Sequence, residues 1–328
     1  MESTYGELSG VVNSLSYPDG SPKSCILNKE NRIQTPVGEI IPKYREAEFG
    51  ERQKKHRSSL SFYPSGQLKS AALDQAMPLQ TPMGEFKAEF VTFFEDGKIN
   101  RLFPLNGQID GFWSEQQEGQ LAEVLDFDLP VGKFSAKIIS LNFYPSGALK
   151  SLTLWPGERI RIETPVGPMN VRTGFSLYEN GAVRSVEPSG MAELITPIGI
   201  IQASDPEMLG MNADQNSVQF SPEGALLSLK TVHTGICVAS EEGETYTNIE
   251  PYEAASLIDI EQMRTVPMQI DFSETEITIT AKEVHRFDID THNFQSFERQ
   301  RVLRECCGGG CGGGECGGCS GGEDCCQN

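Results

Sequence analysis

Positive charge is scarce in this chain. Lys and Arg total 27 against 46 Asp and Glu, a formal net charge of -19 over 328 residues. So acidic a chain repels phosphate backbones and anionic headgroups, so neither nucleic acid nor membrane is an expected partner. Long apolar runs are lacking as well, and no stretch approaches the roughly 18 residues needed to cross a bilayer. The opening Met1-Glu2-Ser3-Thr4-Tyr5-Gly6 has neither a basic region nor a hydrophobic stretch, so no export signal is expected. There is no phosphate loop, no Gly-x-Ser-x-Gly elbow and no His-Glu-x-x-His pair. Nowhere does a long segment show helical periodicity with caps; the best helix candidate is short, around residues 251–257.

Cysteine is nearly absent from the body, which holds only Cys25 and Cys237 of the nine present. Two thiols cannot make a disulfide framework. An odd cluster of further cysteines, with no export signal, reads as reduced thiols or metal ligands, and the expected compartment is the cytoplasm.

What the body does contain is repetition. Leu60-Ser61-Phe62-Tyr63-Pro64-Ser65-Gly66-Gln67-Leu68-Lys69-Ser70 recurs almost unchanged as Leu141-Asn142-Phe143-Tyr144-Pro145-Ser146-Gly147-Ala148-Leu149-Lys150-Ser151. Looser copies surround Tyr17-Pro18-Asp19-Gly20, Phe94-Glu95-Asp96-Gly97, Tyr178-Glu179-Asn180-Gly181 and Ser221-Pro222-Glu223-Gly224. Proline presets φ for the first central turn position, a small polar residue suits the next, and glycine closes the hairpin in the left-handed region with a bulge. A bulge adds one residue and reverses the in/out alternation. Accordingly Leu141 and Phe143 alternate before the turn, and Leu152 and Leu154 fall in the other phase after it. A second motif, Thr35-Pro36-Val37-Gly38, returns at Thr81-Pro82-Met83-Gly84, Thr164-Pro165-Val166-Gly167 and Thr196-Pro197-Ile198-Gly199, with a relative at Leu129-Pro130-Val131-Gly132. These read as further turns between short strands.

The hairpins, above all Phe93-Phe94-Glu95-Asp96-Gly97-Lys98-Ile99 followed by Gly107-Gln108-Ile109-Asp110-Gly111-Phe112-Trp113, resemble MORN-type repeats and their bacterial variants over roughly residues 8 to 232. The resemblance implies an elongated antiparallel sheet of successive hairpins that serves as a scaffold or binding surface. The expected fold is all-β: a hairpin repeat array over 1–238, a β capping segment over 239–304, and a flexible tail over 305–328. In the cap, Val266-Pro267-Met268-Gln269-Ile270-Asp271-Phe272 and Glu276-Ile277-Thr278-Ile279-Thr280 alternate as half-buried strands do.

The tail carries the chemistry. Cys306, Cys307, Cys311, Cys316, Cys319, Cys325 and Cys326 lie among glycines, spaced Cys-Cys-x3-Cys-x4-Cys-x2-Cys-x5-Cys-Cys. A Gly-Cys segment buries no core and must be ordered from outside, and thiolates select soft metals: Zn, Cu(I) or an iron-sulfur centre. Glu305, Glu315, Glu323 and Asp324 lie among them with no Lys or Arg after Arg304. Such carboxylates keep free thiols protonated, whereas a cation drives the protons off, which suits a chelator better than an oxidoreductase. Two alternatives stand beside this reading. In one, the tail has no fixed ligand, or is modified; its Gly-Cys and Cys-Ser runs are similar to the precursors of thiazole- and oxazole-modified microcins. The body would then be a platform for another protein. In the other, a β groove binds or hydrolyses a carbohydrate. Elsewhere, His285 and His292 flank Asp288 and Asp290, His233 and Cys237 lie four apart, Cys25 reads as core, and Trp113 and Trp155 form either a platform or cross-strand packing.

Overall fold

The computed structural model describes residues 1–206, 213–240, 246–255 and 263–299. The fold is nearly all β, as the hairpin pattern requires. A 16-stranded antiparallel sheet is formed by successive hairpins laid edge to edge. It begins with Val11–Ser16 and Pro22–Leu27, and ends with Met268–Phe272, Glu276–Thr280 and Val284–Asp288. Those last three belong to the segment expected as a cap, and they extend the main sheet by pairing with Leu226–Thr231. A separate three-stranded sheet joins Tyr246–Ile249, Thr234–Ser240 and His292–Glu298.

Register accounts for the two faces of the main sheet. One row of paired positions runs from Cys25 through Leu60, Ala71, Val91, Leu102 and Leu141 to Ile279, and none of these is more than 1% exposed. Side chains alternate along a strand, so the next position faces the other way. The neighbouring row begins Ser24, Ser61, Ser70, Thr92, Arg101 and continues Asn142, Ser151, Ser176, Ser185. One face is therefore core and the other polar. The bulge expected after each turn is present: Asn142 pairs with Ser151 but Phe143 with Leu149, and this shift keeps Phe143 and Leu149 both buried. Full burial of such a side chain stabilises by about 1.5–3 kcal/mol.

The second motif builds a second layer over the apolar face. Ile33–Thr35 and Gly38–Ile40 form one small hairpin, and Leu125–Leu129 with Gly132–Ala136 and Ala192–Thr196 with Gly199–Ala203 form others. In the four turns that begin with threonine the hydroxyl closes the turn onto the glycine carbonyl, at 2.7 Å from Thr35 to Gly38 and 2.6 Å from Thr164 to Gly167; Leu129 has no hydroxyl to do so. Ser3 does the same to Gly6 at 2.7 Å, so Ser3-Thr4-Tyr5-Gly6 is a further member of this series. Five of these six turns dock on the second hairpin turn that follows in the chain, whereas Gly199 of the sixth lies against Ser296. Thr4 reaches Gly66, Pro36 lies at Gly97, Pro82 at Gly147, Pro130 at Gly181 and Pro165 at Gly224. Gly147 has φ +93, and a Cβ there would meet Pro82 at 3.0 Å, so both its conformation and its neighbour require glycine.

Tyrosines tie consecutive hairpins together. The hydroxyl of Tyr17 donates to Phe62 O at 2.9 Å, Tyr63 to Phe93 O at 2.9 Å, Tyr144 to Leu177 O at 2.9 Å and Tyr178 to Phe220 O at 2.8 Å. A cation stacks on each ring: Lys23, Lys69, Lys150 and Arg184 in turn. Phe94 occupies the equivalent place in the third hairpin and has no hydroxyl to donate.

The expected helix around residues 251–257 is not formed where the structure describes it: Tyr252–Ala255 is a strand paired with Met263–Val266. Pairing with a second strand outweighs the weak helical preference of so short a segment. The helix that does form is Glu115–Leu121, capped by Ser114 with a reciprocal bond to Gln117.

Candidate functional site

Three polar constructions stand out, two sealed and one open. The first is an ion cluster beside the sheet. Arg52 binds Glu89 at 2.7 Å and also binds Glu118, Lys54 binds Glu89 at 2.8 Å, and Trp113 Nε1 donates to Glu118 at 2.7 Å. The backbone N–H groups of Asn106 and Gly107 complete the shells of Glu89 and Glu118, each at 2.8 Å. Burial opposes ionisation of both carboxyls, but their Arg52 contacts, aided by Lys54 at Glu89, outweigh it and hold both below the ordinary carboxylate range. Burial pulls the Lys54 ammonium down, against the pull of Glu89.

The second construction covers the C-terminal half of the polar row. Residues 213–217 lie across it as a strap. Asp214 is paired to Arg101 at 2.5 Å, accepts from Asn142 at 3.2 Å and from Ser151 at 2.5 Å. Asn216 donates to Ser185 at 2.8 Å, and Thr153 accepts from the Ala213 N–H at 3.2 Å. A strand bulge makes room: Thr173 has φ +59, and a Cβ on Gly174 would stand 2.0 Å from Leu152 O and 2.8 Å from Ala213 Cβ. Close by, Glu187 is fully buried and accepts from Ser217 Oγ at 2.6 Å; burial pushes its carboxyl up despite those bonds.

The third is the open N-terminal half of the same row. Here Ser24, Ser61, Ser70 and Thr92 floor a groove of about 410 Å³. Tyr17, Lys23, Tyr63 and Lys69 line the groove, and so do His56 and Phe90, which stack at 3.7 Å. The charged lining residues are Lys23 and Lys69, both cationic. Thr92 Oγ1 is shielded from solvent and has no hydrogen-bond partner.

The residues singled out by sequence fare differently. The seven C-terminal cysteines lie outside the described residues. Cys25 is buried, and burial pushes its thiol up to about 11, as a core cysteine requires. His233 and Cys237 are separated by extended chain, about 13 Å at 3.3 Å per residue, too far for a dyad. The rings of His285 and His292 both flank Phe287, at 6.2 and 5.3 Å. Among the described residues, no three His, Cys, Asp or Glu side chains are grouped so as to hold a metal. Trp113 and Trp155 form neither a platform nor a cross-strand pair, since both turn toward the helix: Trp113 bonds Glu118, and Trp155 lies against Gly119.

Asp214, Glu89 and Glu118 were not evident from sequence, because the cation each pairs with lies far away along the chain. The stacked cations were legible, since a Lys or Arg stands six residues after each of the four tyrosines. No protein-family model, no curated protein and no solved structure matches this chain. Among the described residues, no helix is long and apolar enough to cross a membrane.

Proposed function

We propose that the protein is a non-enzymatic β scaffold of MORN-variant hairpins whose seven C-terminal cysteines bind a soft metal. The observation that supports the scaffold is the unbroken register from Leu15 to Arg286, in which each hairpin pairs only with its neighbours. Such an array supplies a long surface. Three carboxylates support the same reading; Glu187, whose carboxyl burial pushes up, is fully buried and out of a substrate's reach. Glu89, Glu118 and Asp214 are held ionised and surrounded by donors, which suits a structural acceptor and leaves no proton to give a substrate.

The metal half of the reading rests on the thiols from Cys306 to Cys326, in a chain whose body cysteine Cys25 is buried and protonated. Thiolate ligands favour Zn, Cu(I) or an iron-sulfur centre over Mg or Ca. They need a reducing compartment, and we place the protein in the cytoplasm. Titrating the reduced full-length chain with Zn or Cu(I) tests this against a variant with all seven tail cysteines replaced by serine. Binding with proton release is expected in the parent alone. Equal stoichiometry in the two proteins would overturn it.

A further inference from the structure

The polar face of the sheet shows how it takes a ligand, because the chain supplies one itself. Over the C-terminal half, an acidic strap with irregular backbone lays the Asp214 carboxylate onto Asn142 and Ser151, positions of the row on paired strands. Over the N-terminal half, the matching pair is Ser61 and Ser70, with Thr92 on the next strand. These three remain half-exposed in the groove, and the shielded Thr92 hydroxyl is unpartnered. A buried hydroxyl without a partner is costly, and turning it about χ1 to a ligand atom in the groove recovers that cost.

Charge selects the ligand. In a chain of net charge -19, the charged residues of this groove are two lysines. Lys23 and Lys69 lie 5.7 and 5.5 Å above the rings of Tyr17 and Tyr63, which orient the ammonium groups without neutralising them. Of the turn acids, Asp19 accepts from Ser21 at 2.6 Å and Asp96 pairs with Lys98 at 3.2 Å, while Glu95 stands near enough to Tyr63 to help burial push its phenol up. The two lysines sit two strands apart, about 10 Å, and like-facing side chains of an extended chain repeat about every 6.6 Å, so carboxylates two residues either side of a central one come within reach of both flexible lysines.

We propose that this groove binds an extended acidic segment of a partner protein, with one carboxylate on Ser61, Ser70 and Thr92, as Asp214 sits on Asn142 and Ser151, and flanking carboxylates on Lys23 and Lys69. This goes beyond the metal-binding reading and stands without it, since the tail takes no part.

The test is fluorescence anisotropy on the full chain with the labelled peptide Gln-Asp-Gln-Asp-Gln-Asp-Gln, whose carboxylates alternate onto one face of an extended chain. The peptide Gln-Asn-Gln-Asn-Gln-Asn-Gln is the control. The acidic peptide is expected to bind at least tenfold tighter than the control. The double variant K23E/K69E should lose at least tenfold, whereas K87E/K133E, which changes the charge equally at exposed sites elsewhere, should lose less than twofold. Thr92→Val should weaken binding about threefold, and its melting temperature should not fall, because it removes an unpaired hydroxyl. Equal binding of the two peptides, or equal losses in the two double variants, would overturn the proposal. So would self-association of the parent that K23E/K69E abolishes, since a second copy would then be the occupant.

Discussion

The two halves of the polar face share one row of register positions and are finished in different ways. Over Arg101, Asn142 and Ser151 the chain folds back on itself, and Asp214 turns that stretch into interior. Over Ser61, Ser70 and Thr92 the groove stays open, walled by stacked lysines. A sheet face is therefore not polar merely because it meets water. Small hydroxyl and amide side chains accept either a strap or solvent, whereas leucines in the same places would need a cover everywhere. The covered half is also incompletely satisfied: Asn142 Oδ1 and Asn216 Oδ1 are buried without partners.

The largest effect should come from removing the seat of the strap. Gly174→Val puts side-chain atoms into Leu152 O and Ala213 at a backbone φ of +140. About 4 kcal/mol of stability should be lost in denaturant unfolding, with new hydrogen exchange in the strand Leu149–Leu154. A loss below about 1 kcal/mol would mean the strap does not depend on the bulge.

Removing only the charge should do less. Asp214→Asn is expected to cost about 2 kcal/mol at pH 7, the scale of hydrogen bonds to a charged group. Burial opposes the ionised form, but Ser151, Arg101 and Asn142 outweigh it and hold Asp214 below its ordinary 3.8. A depressed carboxylate contributes its stability fully at neutral pH and loses it as pH falls through the folded-state value. Denaturation curves of parent and variant should therefore differ at pH 7 and converge below about 3.8. A difference constant with pH would assign the effect to packing.

The smallest effect sits at the boundary between the halves, where Phe94 interrupts the tyrosine series. Tyr63→Phe removes the bond to Phe93 O and should cost about 1 kcal/mol. Phe94→Tyr should change stability by less than about 0.5 kcal/mol, or raise it, by supplying the missing link. Thermal melts of the two variants side by side would show whether the series is a real bracing element.

Much of this fold was legible along the chain. Pro, a small polar residue and Gly fixed the hairpins, and the phase change from Phe143 to Leu152 announced the bulge. Those signals are local, so the sequence carries them whole. The second motif was readable as turns, but its docking under later glycines was not, because Pro36 and Gly97 meet only after the sheet has formed. The Ser114 and Gln117 capping box is a local signal for the short helix, while the helix expected near Tyr252 gives way to pairing with Met263–Val266. The ion cluster lay further out of reach: Arg52 finds its carboxylates 37 and 66 residues away, and nothing in the intervening chain indicates either.

The docking of five small turns onto the second hairpin turn after each has a consequence during synthesis. The first such contact, from Thr4 to Gly66, spans 62 residues. At about 5–20 residues per second, a ribosome needs roughly 3 to 12 seconds to supply the later partner. In that interval the new hairpins lie partly uncovered, with leucines and phenylalanines bare on one side. Where folding keeps pace with synthesis, assembly advances from the N-terminus as a travelling front about two hairpins deep. Each of the five docked turns is seated only when the second hairpin after it arrives, so a pause in translation leaves a similar length of unfinished sheet exposed behind any of them.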